Sequence, residues 1–123
     1  MIIAAVIDET EEILPIVDGT ILRLYNTATK KHIDYENPAL HLEMGRRGAT
    51  LNFAEEKGVT AFVTPPQTFC ERSYAKAKKD KIQFYHLTQE MTFKAFQQLL
   101  ENNKLHLKSE LPDQDIAPTS IPQ

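Results

Sequence analysis

Apolar and polar residues follow one another in blocks that predict five strands. A continuous aliphatic run at residues 2–7 ends at Asp8 and is typical of a strand covered on both faces. The segment 31–36 alternates polar and apolar residues, which is typical of a half-exposed strand near a sheet edge, and it forms a hairpin with the strand before it. The other predicted strands are at residues 20–25, 59–63 and 82–85.

Three helices are predicted around the last two strands, at residues 45–57, 64–79 and 92–103. Gly58 is a natural stop for the first helix. Thr64 is suited to cap the second helix, with Pro65 and Pro66 in its first turn. The third helix places four large apolar residues at helical spacing, namely Phe93, Phe96, Leu99 and Leu100.

This order predicts a three-stranded meander followed by alternating helices and strands. Right-handed crossovers then give a mixed five-stranded sheet of order 3-2-1-4-5 with three helices. The predicted fold is a three-layer α/β/α arrangement of the ribonuclease-H-like kind. It occupies residues 1–107, where residues 105–107 add a short extended contact. Residues 108–123, which are polar and rich in proline, are expected to form a flexible tail.

Composition narrows the class of protein further. A chain of 123 residues fits one domain, and its net charge of −3 argues against a general nucleic-acid binder. One cysteine permits no intrachain disulfide and favours a reducing, cytoplasmic location. The N-terminus lacks the pattern of a signal peptide, and no apolar run is long enough to span a membrane. We expect a monomer or a weak homodimer that binds neither nucleic acid nor membrane.

Several segments between residues 1 and 103 carry a family resemblance. They are the opening strand, the segment Tyr35-Glu36-Asn37-Pro38, the segments 48–51 and 54–64, and the strand at 81–85. In order and spacing they resemble the nitrogenase iron–molybdenum cofactor-binding and cofactor-biosynthesis family. The resemblance implies a non-catalytic carrier of an iron–sulfur or iron–molybdenum-type cluster. Its partners would be the metal cofactor or a cluster-assembly protein.

The predicted topology places the binding site where parallel strands end. Strands one, three, four and five share a direction, and ligands of open α/β sheets bind beyond the carboxyl ends of such strands. The residues expected there are Asp8, Asn37, His41, Met44, Arg46, Arg47, Thr64 and His86.

His41 is the best single candidate for a metal ligand, and Met44 offers a soft thioether beside it. The alternative is a solvated loop histidine. Arg46 and Arg47 stand at a helix start, where guanidinium groups and the helix dipole attract an anion such as a cofactor carboxylate. The alternative is a charged helix face.

Other chemistry has less support in the sequence. Cys70 is a candidate thiolate ligand, but it lies on an apolar stripe and is better explained as a small buried residue. Metal-dependent nuclease chemistry needs several carboxylates. Asp8 is placed for it, but Glu55 lies near the far end of its helix, and no acid follows the fourth strand. We therefore expect no enzymatic activity.

The sequence also departs from the family pattern in three places. The usual loop before the first helix is rich in glycine and often contains histidine, but residues 41–48 read His-Leu-Glu-Met-Gly-Arg-Arg-Gly. Family members usually carry a His-Phe-Gly-Arg stretch between the first two strands, but residues 13–19 contain neither histidine nor arginine. The usual glycine-containing turn after the fourth strand is replaced by Thr64-Pro65-Pro66. These departures favour an alternative, a regulatory or protein-interaction domain that keeps the fold without binding a metal cofactor.

Overall fold

The computed structural model describes residues 1–118, which form five strands and three α-helices. The strands are β1 (Ile2–Ile7), β2 (Ile21–Asn26), β3 (Lys31–Glu36), β4 (Val59–Thr64) and β5 (Gln83–His86). The α-helices are α1 (Arg46–Glu56), α2 (Glu71–Lys79) and α3 (Phe93–Glu101). Two short 3₁₀ helices occupy Pro38–His41 and Asp113–Asp115.

The strands form one mixed sheet in the order β3-β2-β1-β4-β5. β2 runs antiparallel to both β1 and β3, whereas β1, β4 and β5 are parallel. The predicted strand order is therefore confirmed. β1, β3, β4 and β5 all end on the same side of the molecule, which we call the carboxyl end of the sheet.

Each face of the sheet is covered by its own apolar core. In β1, Ala4 and Val6 point into a core that also contains Leu51 of α1 and Ala77 of α2. The alternate residues of β1 point into a second core, which contains Phe96 of α3. Successive side chains of a strand point to opposite faces, so a strand covered twice must be apolar throughout. This explains the continuous aliphatic run of β1.

The start of α2 differs from the prediction. The sequence predicts that Thr64 caps a helix opening at Pro65, but α2 begins at Glu71, with Cys70 as its N-cap. The Thr64 hydroxyl is buried and donates to the carbonyl of Tyr85 at 3.2 Å, so it is not available as a cap. In addition, Pro66 disfavours helical backbone at Pro65, and residues 65–70 form a loop instead.

Helices α1 and α3 lie within the predicted spans. Gly45, which precedes α1, has a φ of 64°, and Gly58, two residues beyond its end, has a φ of 89°. Both values lie in the region that favours glycine. The side chain of Thr92 caps α3 by accepting a hydrogen bond from the amide of Ala95 at 3.2 Å.

The sequence predicts a flexible tail at residues 108–123, but residues 108–117 of this segment are packed against the domain. Lys108 exchanges two backbone hydrogen bonds of 2.8 Å with Phe84 of β5, next to the extended contact expected at residues 105–107. Leu111 and Ala117 are buried, and the amide of Ala117 donates to the carbonyl of Phe69 at 2.9 Å. We call residues 108–117 the C-terminal strap. Residues 119–123 lie outside the described residues.

Within residues 1–118, no helix is both long enough and apolar enough to cross a membrane.

Candidate functional site

A buried asparagine organises the carboxyl end of the sheet. The Asn37 side-chain amide donates to the carbonyls of Ile16 and Gly19, both at 2.8 Å. Its oxygen accepts from the amide of Ala39 at 3.2 Å and from the Thr50 hydroxyl at 2.6 Å. Asn37 therefore ties the loop after β1 and helix α1 to the start of the 3₁₀ helix. The sequence predicts Asn37 as a candidate site residue, and the structure shows that its side chain has a structural role.

His41 and Met44 lie on the connection from β3 to α1. The His41 side chain is 74% exposed, and its Nε2 lies 3.1 Å from Oε1 of Glu36. Met44 is 61% exposed. Both side chains are thus accessible to a ligand, and the histidine has one carboxylate neighbour.

The two arginines at the start of α1 reach towards different loops. Nε of Arg46 donates to the carbonyl of Ala39 at 3.0 Å, and its Nη2 donates to the carbonyl of Val17 at 3.2 Å. These contacts hold the 3₁₀ helix and the loop after β1 in place. Arg46 is therefore largely engaged in supporting the site.

Arg47, the second residue of α1, points towards the loop after β4. Its Nη2 donates to the carbonyl of Gln67 at 3.3 Å. Its Nε is buried and has no hydrogen-bond partner among residues 1–118. Buried donors in proteins nearly always have an acceptor, so this guanidinium has an unfilled bonding position.

Asp8 and Thr64 lie at the ends of β1 and β4 but form local contacts. Oδ1 of Asp8 accepts from the Thr10 hydroxyl at 2.6 Å and from the amides of Thr10 and Glu12. These bonds, with the Thr10 hydroxyl first, hold the pKa of the Asp8 carboxyl below its ordinary value. Thr64 is buried and bonded to β5. Neither side chain is brought beside His41 by a contact in the structure.

A histidine–carboxylate pair closes the far side of this region. Nε2 of His86, at the end of β5, lies 2.5 Å from Oδ2 of Asp115 in the C-terminal strap. The carbonyl of Asp115 also accepts from the amide of Gln67 at 2.8 Å. His86 was expected at this end of the sheet. Asp115 was missed, because its segment has no hydrophobic periodicity that would predict packing.

Cys70 lies at the N-terminus of α2, where its backbone amide donates to the Ser73 hydroxyl at 3.0 Å. Its thiol is buried and lies 3.3 Å from the same hydroxyl. This geometry agrees with the interpretation of Cys70 as a small buried residue.

The carboxylates considered for metal chemistry are dispersed. Glu55 contacts Lys76 of α2 at 2.8 Å near the C-terminal end of α1, away from the turn that contains Asp8. Burial raises the pKa of the Glu55 carboxyl, although Lys76 opposes this effect. In residues 1–118, no three side chains of the His, Cys, Asp and Glu types are grouped so that they could hold a metal ion. A ligand at the carboxyl end of the sheet would therefore find His41 and Met44 as metal-binding side chains and Arg47 as a positive charge.

These features define a mixed α/β protein with helices on both faces of a five-stranded sheet and polar loops at its carboxyl end. No protein-family model and no curated protein matches the sequence.

The solved structures with a similar fold include the following three. The apo form of the orange protein from Desulfovibrio gigas has a TM-score of 0.72 at 12% identity, over 86% of this chain and 91% of that chain. A candidate dinitrogenase from Methanocaldococcus jannaschii has a TM-score of 0.62 at 17% identity, over 90% and 97%. A candidate NifB protein of the DUF35 family from Thermotoga has a TM-score of 0.64 at 12% identity, over 92% and 97%. At these identities the likeness shows a shared fold.

Proposed function

We propose that the chain is a non-catalytic binding protein that carries an anionic metal cofactor of the iron–sulfur or iron–molybdenum type. The cofactor binds at the carboxyl end of the sheet, and a cluster-assembly protein delivers or receives it. We also assign the sheet to the ribonuclease-H-like class of folds. The sequence resemblance and the names of two structural neighbours, which refer to nitrogenase and NifB, support the proposal.

The observation that carries the proposal is the unfilled bonding position of Arg47. A guanidinium N–H that is buried without an acceptor costs about 1–3 kcal/mol, and an anion that draws the half-buried Arg47 side chain outward would recover that cost. Arg47 also stands in the first turn of α1, where the helix dipole favours negative charge. A cofactor with a carboxylate or an overall negative charge fits this position.

The metal-binding groups suit a carrier better than a permanent site. His41 offers an imidazole and Met44 a thioether, and both are soft enough for iron clusters. A permanent cluster is normally held by several cysteines or histidines. Because one or two exposed ligands hold a metal weakly, a cofactor bound here would be easily passed on.

The proposal is tested by titrating the protein anaerobically with isolated iron–molybdenum cofactor and following its visible absorption. Arg47→Gln should weaken binding about tenfold, because it removes a charge-assisted hydrogen bond. Arg72→Gln is the matched control, since Arg72 is the second residue of α2 and the change in charge is the same. If both variants bind like the parent, Arg47 does not contact the cofactor.

His41 is tested in the same titration. His41→Ala should change the absorption spectrum of the bound cofactor and weaken binding, because it removes a metal ligand. His32→Ala is the control, since His32 is an exposed histidine on β3. Identical, featureless spectra for the parent and both variants would rule out cofactor binding.

A second candidate function is a protein-interaction domain without a metal cofactor. Its support is an exposed apolar group on the connection from β3 to α1, formed by Leu40, Leu42 and Met44. Exposed apolar residues that lie together mark interaction sites. Replacing all three by serine should abolish capture of a partner from native extract while cofactor titration stays unchanged. Loss of cofactor binding instead would favour the first proposal.

A further inference from the structure

Among residues 1–118, nothing pairs with the outer edge of β3 along its whole length. β3 pairs only with β2, and no isolated bridge within residues 1–118 reaches it. Its Ile33 is 61% exposed, and the other side chains are exposed except for half-buried Tyr35. Strands with unpaired N–H and C=O groups are templates for pairing with another strand.

We propose that β3 pairs antiparallel with β3 of a second copy of this chain, so that two sheets join across a two-fold axis at Ile33. The occupant is a second copy because the side chains of β3 complement themselves in this arrangement. A two-fold axis makes each contact occur twice, so a short strand contributes a symmetric interface.

The direction of the backbone groups supports this register. The amide of Asn37 donates to the carbonyl of Thr20, so the backbone at position 37 faces β2. Alternate residues of an antiparallel strand face the same neighbour, so 33 and 35 also face β2, whereas 32, 34 and 36 face outward. A symmetric antiparallel pair needs a residue opposite its own copy. Ile33 meets this requirement as a pair without backbone hydrogen bonds.

The side chains of this register are complementary on both faces. Ile33 lies opposite Ile33 of the second copy, and His32 lies opposite Asp34. Two residues from the axis, Lys31 lies opposite Tyr35. Three residues from the axis, Lys30 lies opposite Glu36. Apolar and oppositely charged cross-strand pairs are favourable. Charges usually protect an edge strand from association, but in this register no two like charges lie opposite each other. Of the two nearest symmetric alternatives, the one centred on Asp34 places two carboxylates opposite each other, and the one centred on His32 places Ile33 opposite Lys31.

A groove beside β3 extends the proposed interface. It has a volume of about 210 Å³ and is lined by Leu24, Lys31, Ile33, Tyr35 and Lys57 among others. These β3 residues lie on one face of the sheet, so the Ile33 of the second copy would lie at the mouth of the groove. The contact therefore includes apolar side-chain burial as well as backbone pairing.

Sedimentation velocity of the full chain over a range of concentrations tests the proposal. We expect a weak dimer, since the pairing of residues 30–36 alone is a small interface. Ile33→Lys should weaken dimerisation at least about tenfold, because two lysines would then oppose each other at the axis. Gln114→Lys introduces the same positive charge at an exposed residue of the C-terminal strap, at the opposite edge of the sheet, and should change nothing. A parent chain that is monomeric at about 1 mM, or a dimer that Ile33→Lys leaves intact, would overturn the proposal.

Variants with one added cysteine test the register. Opposed residues in a pair without backbone hydrogen bonds have Cα atoms about 4.5 Å apart, which a disulfide can span. Ile33→Cys should therefore give a covalent dimer on mild oxidation, as seen on a non-reducing gel, and Asp34→Cys should not. The native Cys70 is buried and common to both variants. Faster cross-linking of Asp34→Cys would overturn the Ile33 axis.

Discussion

The outer edge of β5 is covered by the C-terminal strap, whereas the outer edge of β3 is unpaired within residues 1–118. The side near β5 is stabilised by apolar packing, in which Phe69 lies 5.4 Å from Phe62 and 5.8 Å from Phe84 between ring centroids. The side near β3 is stabilised by ion pairs between side chains. Arg23 donates to Asp34 at 2.8 and 2.9 Å and to Glu11 at 2.6 Å. The two edges should therefore respond differently to mutation and to pH.

The largest effect should come from the apolar packing beside β5. Phe84→Ala removes a fully buried ring that contacts Phe69 and Tyr74, and it should lower the free energy of unfolding by about 3–5 kcal/mol. Urea unfolding followed by circular dichroism measures this. A loss below about 1 kcal/mol would mean that this packing does not hold the β5 side together.

The strap itself should contribute the next largest effect. Leu111→Ala removes a buried side chain and should lower the free energy of unfolding by about 2 kcal/mol. Hydrogen exchange should show faster exchange at the amide of Phe84, because that amide donates to Lys108 of the strap. Unchanged exchange at Phe84 would argue that the strap does not protect β5.

The β3 side should show the clearest dependence on pH. The Arg23 guanidinium holds the pKa of the Asp34 carboxyl below its ordinary value of 3.8. A lowered pKa adds stability above pH 3.8, and that stability is lost as the pH falls through the folded-state pKa. Asp34→Asn should thus cost about 1 kcal/mol at pH 7, a discounted value because the side chain is 37% exposed.

The same variant should cost progressively less as the pH falls below 3.8. Urea unfolding of the parent and of Asp34→Asn across this range measures the difference. A cost that does not depend on pH would show that Asp34 acts through packing and not through its charge.

The smallest effect should come from the open edge. Ile33→Thr replaces an exposed side chain by another β-branched one, and it should change the free energy of unfolding by less than about 0.5 kcal/mol at protein concentrations where the chain is monomeric. A larger loss under those conditions would mean that Ile33 contributes to the core of its own chain.

The fold was largely predictable because its elements have strong hydrophobic patterns. The aliphatic run of β1 and the glycine after α1 led to the correct strand order. The strap was not predictable, because only Leu111 and Ala117 are buried in a polar segment. Two buried residues six positions apart give no period that distinguishes packing from disorder.

The candidate site was predictable in position but not in contacts. Topology correctly places Asn37, His41 and the arginines at the carboxyl end of the sheet. The acceptors of Arg46 and Arg47 are backbone carbonyls of Ala39, Val17 and Gln67, and backbone groups leave no mark in the sequence. Nε of Arg46 has a backbone acceptor, whereas Nε of Arg47 has none within residues 1–118, and this difference could be seen only in the structure.

The position of the strap has a consequence for synthesis. Lys108 leaves the ribosome after Phe84, with a delay of about one to five seconds at ordinary rates of translation. During that interval β5 lacks its cover, so the growing chain has two unpaired outer strands, whereas the folded residues 1–118 leave one. The nascent protein is then most exposed to pairing with neighbouring chains, and slower translation of residues 85–108 would lengthen that period.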